Sequence, residues 1–344
     1  MNDKLLITAG VIDRHGEFFV LFEDDNCIDD ECILGHARRV QERLVITPLL
    51  EPEEVVSILA LPKDWGFDHS VALLGADGEF TLANSISSQK TIIAGAGYTD
   101  DTALRLGRMT TLKLLGSTIY AMGYGGQVYY RTSKSDWSSI LVGGEDAETK
   151  SPACLYAVAK EYGEKVMYFG GTNIQNFLRT EEMAAAGKAR DGVALARLIL
   201  KSKRKNLMTI LKYDDGWSDV GFDFHGLVSE FLRAPQGGWY IFASRGLLWH
   251  TNDFQAFEEV MALDDKQAFF DMKAVGEEIL IMIGQRLHRL VDHSLVEFSP
   301  QLPVLEAGYT NLTSFGKQVA AIHPDGVMVL EDENWVRLHP EISS

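Results

Sequence analysis

The chain has 344 residues, of which 46% are hydrophobic and 24% charged, a balance that excludes a disordered or collagen-like protein. Its net charge of −17 repels phosphate backbones and anionic lipids, so we expect neither a nucleic acid nor a membrane as partner. Three cysteines are too few for a disulfide framework and suit a reducing compartment, which predicts a cytoplasmic protein.

The first unusual segment along the chain is acidic: EDDNCIDDE at 23–31 carries six carboxylates in nine residues. It lacks the glycine and the spaced glutamate of an EF-hand loop. One interpretation is a solvated loop. The other is an anionic arm that engages a basic partner, through Asp24, Asp25, Asp29, Asp30 and Glu31. Cys27, Cys32 and His36 offer three zinc ligands without a fourth, so the sequence predicts no metal site and no cofactor.

A second unusual segment, LPKDWGFDHS at 61–70, is long for a connection between strands. Aromatic residues dominate the energetics of protein interfaces. Trp65 and Phe67 are therefore candidate partner-binding residues. They could equally fold back over the edge of the adjoining sheet, and the sequence leaves both interpretations open.

A strand pattern recurs along the chain. Segments beginning at 116, 237, 277 and 317 each read as an apolar strand, a tight turn, an alternating strand, a polar turn and a short strand. Ile119, Trp239, Ile279 and Val319 hold equivalent places, separated by 120, 40 and 40 residues. Further copies include 16–22, 69–85 and 164–171, so seven four-stranded units account for the chain.

A repeat of about 40 residues with four strands is typical of a β-propeller, in which radially packed sheets cover one another's faces. The sequence therefore predicts an all-β, seven-bladed propeller forming one domain over 1–344, with six or eight blades as alternatives. A β-sandwich of similar hairpins is the competing fold, but sandwiches do not repeat at constant spacing.

Three hairpins resemble those of a known group. VYYRTSKSDWSSI (128–140), ILKYDDGWSDV (210–220) and LLWHTNDFQAFEEV (247–260) look like degenerate Asp-box hairpins of sialidase-like propellers. The full Asp-box run is absent, and no Gly-His…Trp-Asp signature of WD-repeat propellers appears, although the blade layout is similar. The resemblance implies the fold and carries no activity.

The fourth unit contains an insertion, placed at 172–206 and predicted to be helical from its alanine and leucine content. Between Arg179 and Lys205 there are eight basic and three acidic residues. Either FLRT (177–180) or ILKYDDGW (210–217) supplies the third strand of this unit. Long ordered additions to a regular scaffold usually serve binding or regulation. The basic candidates for partner binding are Arg190, Arg197, Lys201, Lys203, Arg204 and Lys205.

The sequence has no G-x-S-x-G elbow, phosphate loop, H-E-x-x-H or paired C-x-x-C motif. His250, His288 and His323 fall within the repeat pattern and read as strand or turn residues. A sialidase would need arginines that converge on the axis, for which Arg131, Arg245, Arg286 and Arg289 are the candidates.

A propeller without catalytic motifs is expected to be a rigid protein-binding platform. In concrete form, the sequence predicts an acidic cytoplasmic inhibitor of the immunity type, which neutralises a basic partner such as a secreted nuclease toxin. Two alternatives from other classes are a carbohydrate-active enzyme or lectin that uses the axis, and a scaffold that self-associates through the insertion. The sequence leaves the partner and the oligomeric state open.

Overall fold

The structure, a computed structural model, describes residues 5–23, 32–52, 54–65, 68–99, 101–132, 135–143, 151, 153–160, 165–175, 205–222, 224, 226–263 and 269–343. These residues form strands, turns and short 3-10 helices. Within the described ranges, no helix has the length and apolar character needed to cross a membrane.

The described strands form seven four-stranded antiparallel units, here called blades one to seven. Blades one to three comprise β1 (Leu6–Ile12), β2 (Phe18–Glu23), β3 (Ile33–Val40), β4 (Arg43–Leu50); β5 (Val55–Ala60), β6 (Val71–Gly75), β7 (Glu79–Ala83), β8 (Ser88–Ile92); and β9 (Met109–Leu115), β10 (Thr118–Gly123), β11 (Val128–Thr132), β12 (Ser138–Ser139).

Blades four to seven follow the same order. They comprise β13 (Ala153–Lys160), β14 (Met167–Gln175), β15 (Lys205–Tyr213), β16 (Trp217–Asp219); β17 (Val228–Arg233), β18 (Trp239–Ala243), β19 (Leu247–Thr251), β20 (Glu258–Ala262); β21 (Phe269–Val275), β22 (Glu278–Ile283), β23 (Arg286–Val291), β24 (Ser294–Glu297); and β25 (Asn311–Phe315), β26 (Gln318–His323), β27 (Gly326–Glu331), β28 (Asn334–Ile342).

The blades are arranged in a closed ring. The first strands of successive blades are in contact from β1 through β5, β9 and β13 to β17, and from β21 through β25 back to β1. Between blades five and six, β21 contacts a 3-10 helix at Ser244–Gly246. The prediction of an all-β propeller is therefore confirmed.

The hydrophobic core is divided among the junctions between blades. Seven clusters of buried side chains are found, and each joins two neighbouring blades. Successive side chains of a strand point to opposite faces. In β2, for example, Phe18 and Val20 pack against blade seven, whereas Phe19 and Leu21 pack against blade two. Because both faces of each blade are covered, the second strands are continuous apolar runs, and these runs made the repeat visible in the sequence.

The ring closes through the outer strands of blades one and seven. Strand β28 pairs in parallel with β4, which joins the two blades into one eight-stranded sheet. The backbone N–H of His339 donates to the carbonyl of Glu42 at 3.0 Å, and that of Ser343 donates to the carbonyl of Ile46 at 2.8 Å. This pairing gives two outer edges a partner, where an open ring would leave them to solvent.

The inner edges of the first strands are capped by side chains of neighbouring blades. Leu112 N–H donates to Ser57 Oγ at 3.1 Å, and Ile12 N–H donates to Thr313 Oγ1 at 2.9 Å. Leu312 N–H donates to Asp271 Oδ2 at 2.8 Å. Unpaired backbone donors in a buried edge are costly. Polar residues in otherwise apolar first strands therefore have a structural role at the ring's centre.

The bounds predicted for the insertion are wrong at both ends. Residues 172–175 complete β14 and residues 205–206 begin β15, since the two strands pair from Met167↔Tyr213 to Gln175↔Lys205. Of the two candidates for the third strand of blade four, ILKYDDGW is the one that the structure supports, because residues 210–213 lie in β15. The predicted helix falls on 176–204, which lie outside the described residues.

Candidate partner-binding face

The connections of the propeller are unequal at its two ends. One end, the loop face, carries the connections from second to third strands and those between blades, including 24–32, 93–108, 140–152, 176–204 and 298–310. The other end, the turn face, carries the remaining connections, most of which are short turns. Binding residues are disproportionately found on long loops held by a rigid scaffold. The loop face is therefore the candidate binding surface.

The connection 93–108, between blades two and three, is held down by Asp77. Asp77 Oδ1 accepts from the N–H of Tyr98 at 3.3 Å, and its Oδ2 accepts from Thr99 Oγ1 at 3.1 Å. Gly97 lies at φ +71°, and a Cβ there would overlap the backbone of Asp77. Only glycine allows this approach without strain. Specific contacts with Asp77 therefore hold this connection in place on the loop face.

Two tyrosines stand on this surface. Tyr98 is 46% exposed and Tyr124 is 38% exposed. Gly97 forms a β-bridge with Gly107, and a Cβ on Gly107 would overlap Tyr124. Buried Gln127 donates through Nε2 to the carbonyls of Gly107 and Tyr124, at 2.8 and 2.9 Å. The tyrosines therefore belong to one hydrogen-bonded patch, which has the amphipathic aromatic character of interface centres.

Tyr124 is also linked to the buried side of blade four. The Tyr156 hydroxyl interacts with the side chains of Cys154 and Tyr124, and burial raises the pKa of Tyr156 well above its usual range. Burial also raises the pKa of the Cys154 thiol to about 12. At neutral pH the Tyr156 hydroxyl and the Cys154 thiol therefore stay protonated, and neither is a ready nucleophile.

A third exposed aromatic of the loop face, Phe224, is 41% exposed and follows the short strand β16. Its carbonyl accepts from the N–H of Met208 at 2.6 Å. Its ring lies 4.5 Å from that of Trp249 and 4.9 Å from that of Phe222. The aromatic patch between blades four and five thus has one ring at the surface.

Charged side chains of the first strands interact near the axis. Lys113 of β9 is ion-paired with Glu230 of β17, and Lys273 of β21 lies 3.7 Å from Asp271. The carboxylates of Asp271 and Glu230 raise the pKa of Lys273, with burial opposing them. Two ammonium groups face two carboxylates, so this group carries no net charge and stabilises the ring's centre.

Most of the residues predicted to bind a partner lie outside the described residues. They are Asp24, Asp25, Asp29, Asp30, Glu31, Phe67, Arg190, Arg197, Lys201, Lys203 and Arg204. Lys205 is the first residue of β15. The described strands nevertheless show where the two charged segments attach, because 24–31 joins β2 to β3 and 176–204 joins β14 to β15. Both segments therefore leave from the loop face.

Trp65 is the described candidate that the structure removes from the binding surface. It is 1% exposed, its Nε1 donates to the carbonyl of Ser117 at 3.1 Å, and its ring packs between blades two and three. It also lies in a first-to-second connection, at the turn face. The packing supports the alternative interpretation, in which this indole folds back over the edge of the adjoining sheet.

Three of the four candidate arginines, Arg131, Arg286 and Arg289, lie in the third strands of their blades and not on the axis. Arg131 lies in the third strand of blade three, with its guanidinium 5.7 Å from the ring centroids of Trp65 and Trp137. Arg286 and Arg289 lie in the third strand of blade six, 3.9 Å from Glu297 and 3.3 Å from Glu278. These three arginines pack against aromatic rings or form ion pairs between strands.

The candidate zinc ligand His36 is likewise engaged: its Nε2 lies 2.8 Å from Glu17 Oε2. Tyr98, Tyr124 and Phe224 were missed at the sequence level. The length of the connections 93–108 and 220–227 was the signal for Tyr98 and Phe224, whereas Tyr124 lies in the short turn between β10 and β11, which gave none. The exposure of these side chains depends on packing between distant segments.

Comparison with known proteins gives similarity at the level of fold. No family model matches the sequence, and no curated protein matches it either. The WD40 β-propeller domain of Doa1 is similar with a TM-score of 0.58 and 9% identity, over 96% of this chain and 97% of that one. YCF48 bound to D1 peptide has a TM-score of 0.56 and 10% identity, over 100% and 95%.

A larger protein shares the fold as well. The extracellular domain of the one-component system BT4673 from B. thetaiotaomicron has a TM-score of 0.54 and 10% identity, over 95% of this chain. This chain spans 38% of the length of that domain. The similarities agree with the ring of four-stranded sheets and with the predicted repeat. The chain is a β-propeller repeat protein.

Proposed function

We propose that this protein is a non-catalytic propeller that binds another protein on its loop face. The observation that carries the proposal is the hydrogen-bonded patch that presents Tyr98 and Tyr124. Partly exposed tyrosines on a rigid support supply contact area at low cost in conformational entropy. A solved propeller of similar fold is described as bound to D1 peptide, which gives a precedent for a protein ligand.

The chemistry of the partner follows from charge. The protein carries −17, and the acidic segment 24–31 attaches to the loop face. Opposite charges accelerate association and exclude acidic competitors. We therefore propose a basic partner. The finer form of the proposal is a cytoplasmic inhibitor of the immunity type, which covers the active cleft of a basic toxin such as a secreted nuclease.

The experiment is a capture with tagged full-length protein from native lysate, at low and at moderate salt. Two variants are compared with the wild type. One carries Tyr98→Ala and Tyr124→Ala on the loop face, and the matched control carries Ile86→Ala and Phe315→Ala, which alter exposed apolar side chains near the turn face. Circular dichroism confirms that both variants are folded.

We expect one basic protein to be retained near stoichiometrically by the wild type and the control. The tyrosine variant should lose it at least tenfold, because hot-spot truncations typically cost about 2 kcal/mol or more. Moderate salt should loosen the complex. Equal retention by all three proteins, or loss from the control alone, would refute binding on this face.

The inhibitor role has its own test. The captured partner is purified and assayed for nuclease or other toxic activity, with increasing amounts of the propeller. Inhibition that saturates at one equivalent supports the immunity role. A partner that remains fully active in the complex contradicts it while leaving protein binding intact. If the captured protein is a second copy of this chain, the self-associating scaffold replaces the inhibitor.

A further inference from the structure

A cluster of metal-ligating side chains lies at the turn face, away from the proposed binding face. His250, near the end of β19, and Glu258, the first residue of β20, are directly opposite each other across these strands. His293 is in the turn between β23 and β24 of blade six. One ligand atom from each of the three side chains lies within 4.8 Å of the others. We propose that His250, Glu258 and His293 bind a Zn²⁺ ion that joins blades five and six.

The positions of the three side chains are set by the fold. Cross-strand pairing places His250 and Glu258 on one face of blade five, next to Tyr240, which pairs with His250 in β18. That face packs against blade six in a shared hydrophobic cluster. The His293 ring stacks edge-on against His250, with centroids 4.8 Å apart. Two imidazoles and a carboxylate from two neighbouring blades thus surround one point.

The hydrogen bonding of His250 suits a ligand. Its Nε2 lies 3.2 Å from the carbonyl of Gly237, so in the neutral ring this nitrogen is the donor. The other ring nitrogen then carries a lone pair. Metal-bound histidines almost always donate their second ring N–H to a carbonyl or carboxylate, which sets the tautomer and the ring orientation. The Gly237 carbonyl occupies this outer position.

The turn that carries His293 does not explain its presence. Asp292 and His293 both have positive φ, at 45° and 63°. The equivalent turn of blade seven, Asp332–Glu333, has φ values of 44° and 64° and contains no histidine. Such a turn favours Asn-Gly, and it makes no demand for imidazole. The histidine is thus available for a role other than the turn.

The donor set selects the metal. Imidazole nitrogens favour zinc and its transition-metal neighbours, whereas calcium and magnesium take oxygen ligands. Two histidines and a glutamate, with water in a fourth position, are an established set for zinc. Bonds of about 2.1 Å in a tetrahedron place ligands about 3.4 Å apart. Binding therefore requires the exposed Glu258 and the His293 turn to move inward by roughly 1 Å.

The test is calorimetric titration of the untagged, EDTA-treated full-length protein with ZnCl₂. Co²⁺ serves as a spectroscopic substitute, because tetrahedral coordination gives an intense visible band. Variants are Glu258→Gln and His293→Ala, which alter partly exposed or exposed side chains, and the control is Glu333→Ala in the equivalent turn. His250→Gln is added only if circular dichroism shows it to be folded, since His250 is buried.

We expect one Zn²⁺ per chain for the wild type and for Glu333→Ala. Each ligand variant should bind at least about tenfold more weakly, since even outer partners of metal ligands are worth 10–100-fold. The cobalt band should disappear with His293→Ala. No zinc binding by the wild type, or equal binding by both ligand variants, overturns the proposal. Partner capture on the loop face is unaffected by either result.

Discussion

Lys113 and Glu230 form an ion pair between the first strands of blades three and five, although blade four separates them along the chain. Both side chains are about three-quarters buried. The Glu230 carboxylate also helps to raise the pKa of Lys273 in blade six. This pair therefore ties three first strands together across the centre of the ring.

Glu230→Gln is expected to destabilise the protein, because it leaves two partly buried ammonium groups without this carboxylate. Hydrogen bonds to charged groups contribute about 1.5–3 kcal/mol, which sets the expected loss in the free energy of unfolding. Urea denaturation of Glu230→Gln, Lys113→Met and the double variant gives the coupling energy. The matched pair Arg43–Glu341 is exposed, and its removal should cost about 0–1 kcal/mol. Equal losses for both pairs would contradict this assignment.

Closure of the ring is tested at His339. Replacement by proline removes the N–H that donates to Glu42, whereas His339→Ala keeps it and removes only the side chain. We expect His339→Pro to lose about 1 kcal/mol or more of stability, because the ladder hydrogen bond is lost and the proline ring does not fit the strand. His339→Ala should change little. Thermal denaturation with hydrogen exchange measures this, and equal stability of the two variants would show that β4–β28 pairing is unimportant.

Trp65 is expected to matter for stability and not for binding. Trp65→Ala removes a fully buried indole between blades two and three, for which the usual cost is about 3–5 kcal/mol. Trp65→Phe keeps most of the volume and loses the hydrogen bond to Ser117, so a smaller loss follows. Partner capture with Trp65→Phe should match that of the wild type. A folded Trp65→Phe protein that no longer captures the partner would return this residue to the interface.

The fold was accessible to sequence analysis, and the site largely was not. The repeat is visible because residues such as Phe18 and Phe19 are both buried, one on each face of the blade, which makes each second strand an apolar run. Exposure at Tyr98 depends on how Asp77 holds a distant connection. His250 and His293 are brought together by packing of two blades, which no spacing rule reports. Trp65 is a further example, because the sequence of a loop does not distinguish a buried tryptophan from an exposed one.

Tyrosine ionisation predicts how stability depends on pH. Burial raises the pKa of Tyr120 and of Tyr309 to about 12, whereas an unfolded tyrosine titrates near 10. The folded state thus holds protons that the unfolded state releases. The stabilisation is complete below about pH 10 and is lost as the pH rises through about 12. Lys273, whose pKa is also raised, acts in the same direction.

We therefore expect the urea midpoint to fall between pH 10 and about 12. The Tyr120→Phe and Tyr309→Phe double variant should fall less steeply, because phenylalanine does not ionise. Absorbance of phenolate measures the titration directly in the native protein. If all phenolate absorbance developed below pH 11 while the protein stayed folded, the burial argument would be wrong.

Cys154 is expected to be inert towards thiol reagents while the protein is folded. Burial raises its pKa to about 12 from an ordinary value of 9.0, and only the thiolate reacts. The fraction of thiolate at neutral pH is then lower by roughly 10³-fold, before any effect of restricted access. Alkylation with iodoacetamide at pH 8, followed by mass spectrometry, compares native protein with protein in urea. We expect Cys154 to be labelled only in urea.

The Tyr156→Phe variant is the control for the prediction on Cys154 labelling. Tyr156→Phe removes the hydroxyl that interacts with the side chains of Cys154 and Tyr124. The thiol stays buried in this variant, so its labelling should remain slow, while partner capture weakens because Tyr124 loses its support. Fast native labelling of Cys154 in the wild type would show that blades three and four open readily at this junction. In that event Tyr124 would stand on a mobile surface, and the case for a preformed binding patch would fail with it.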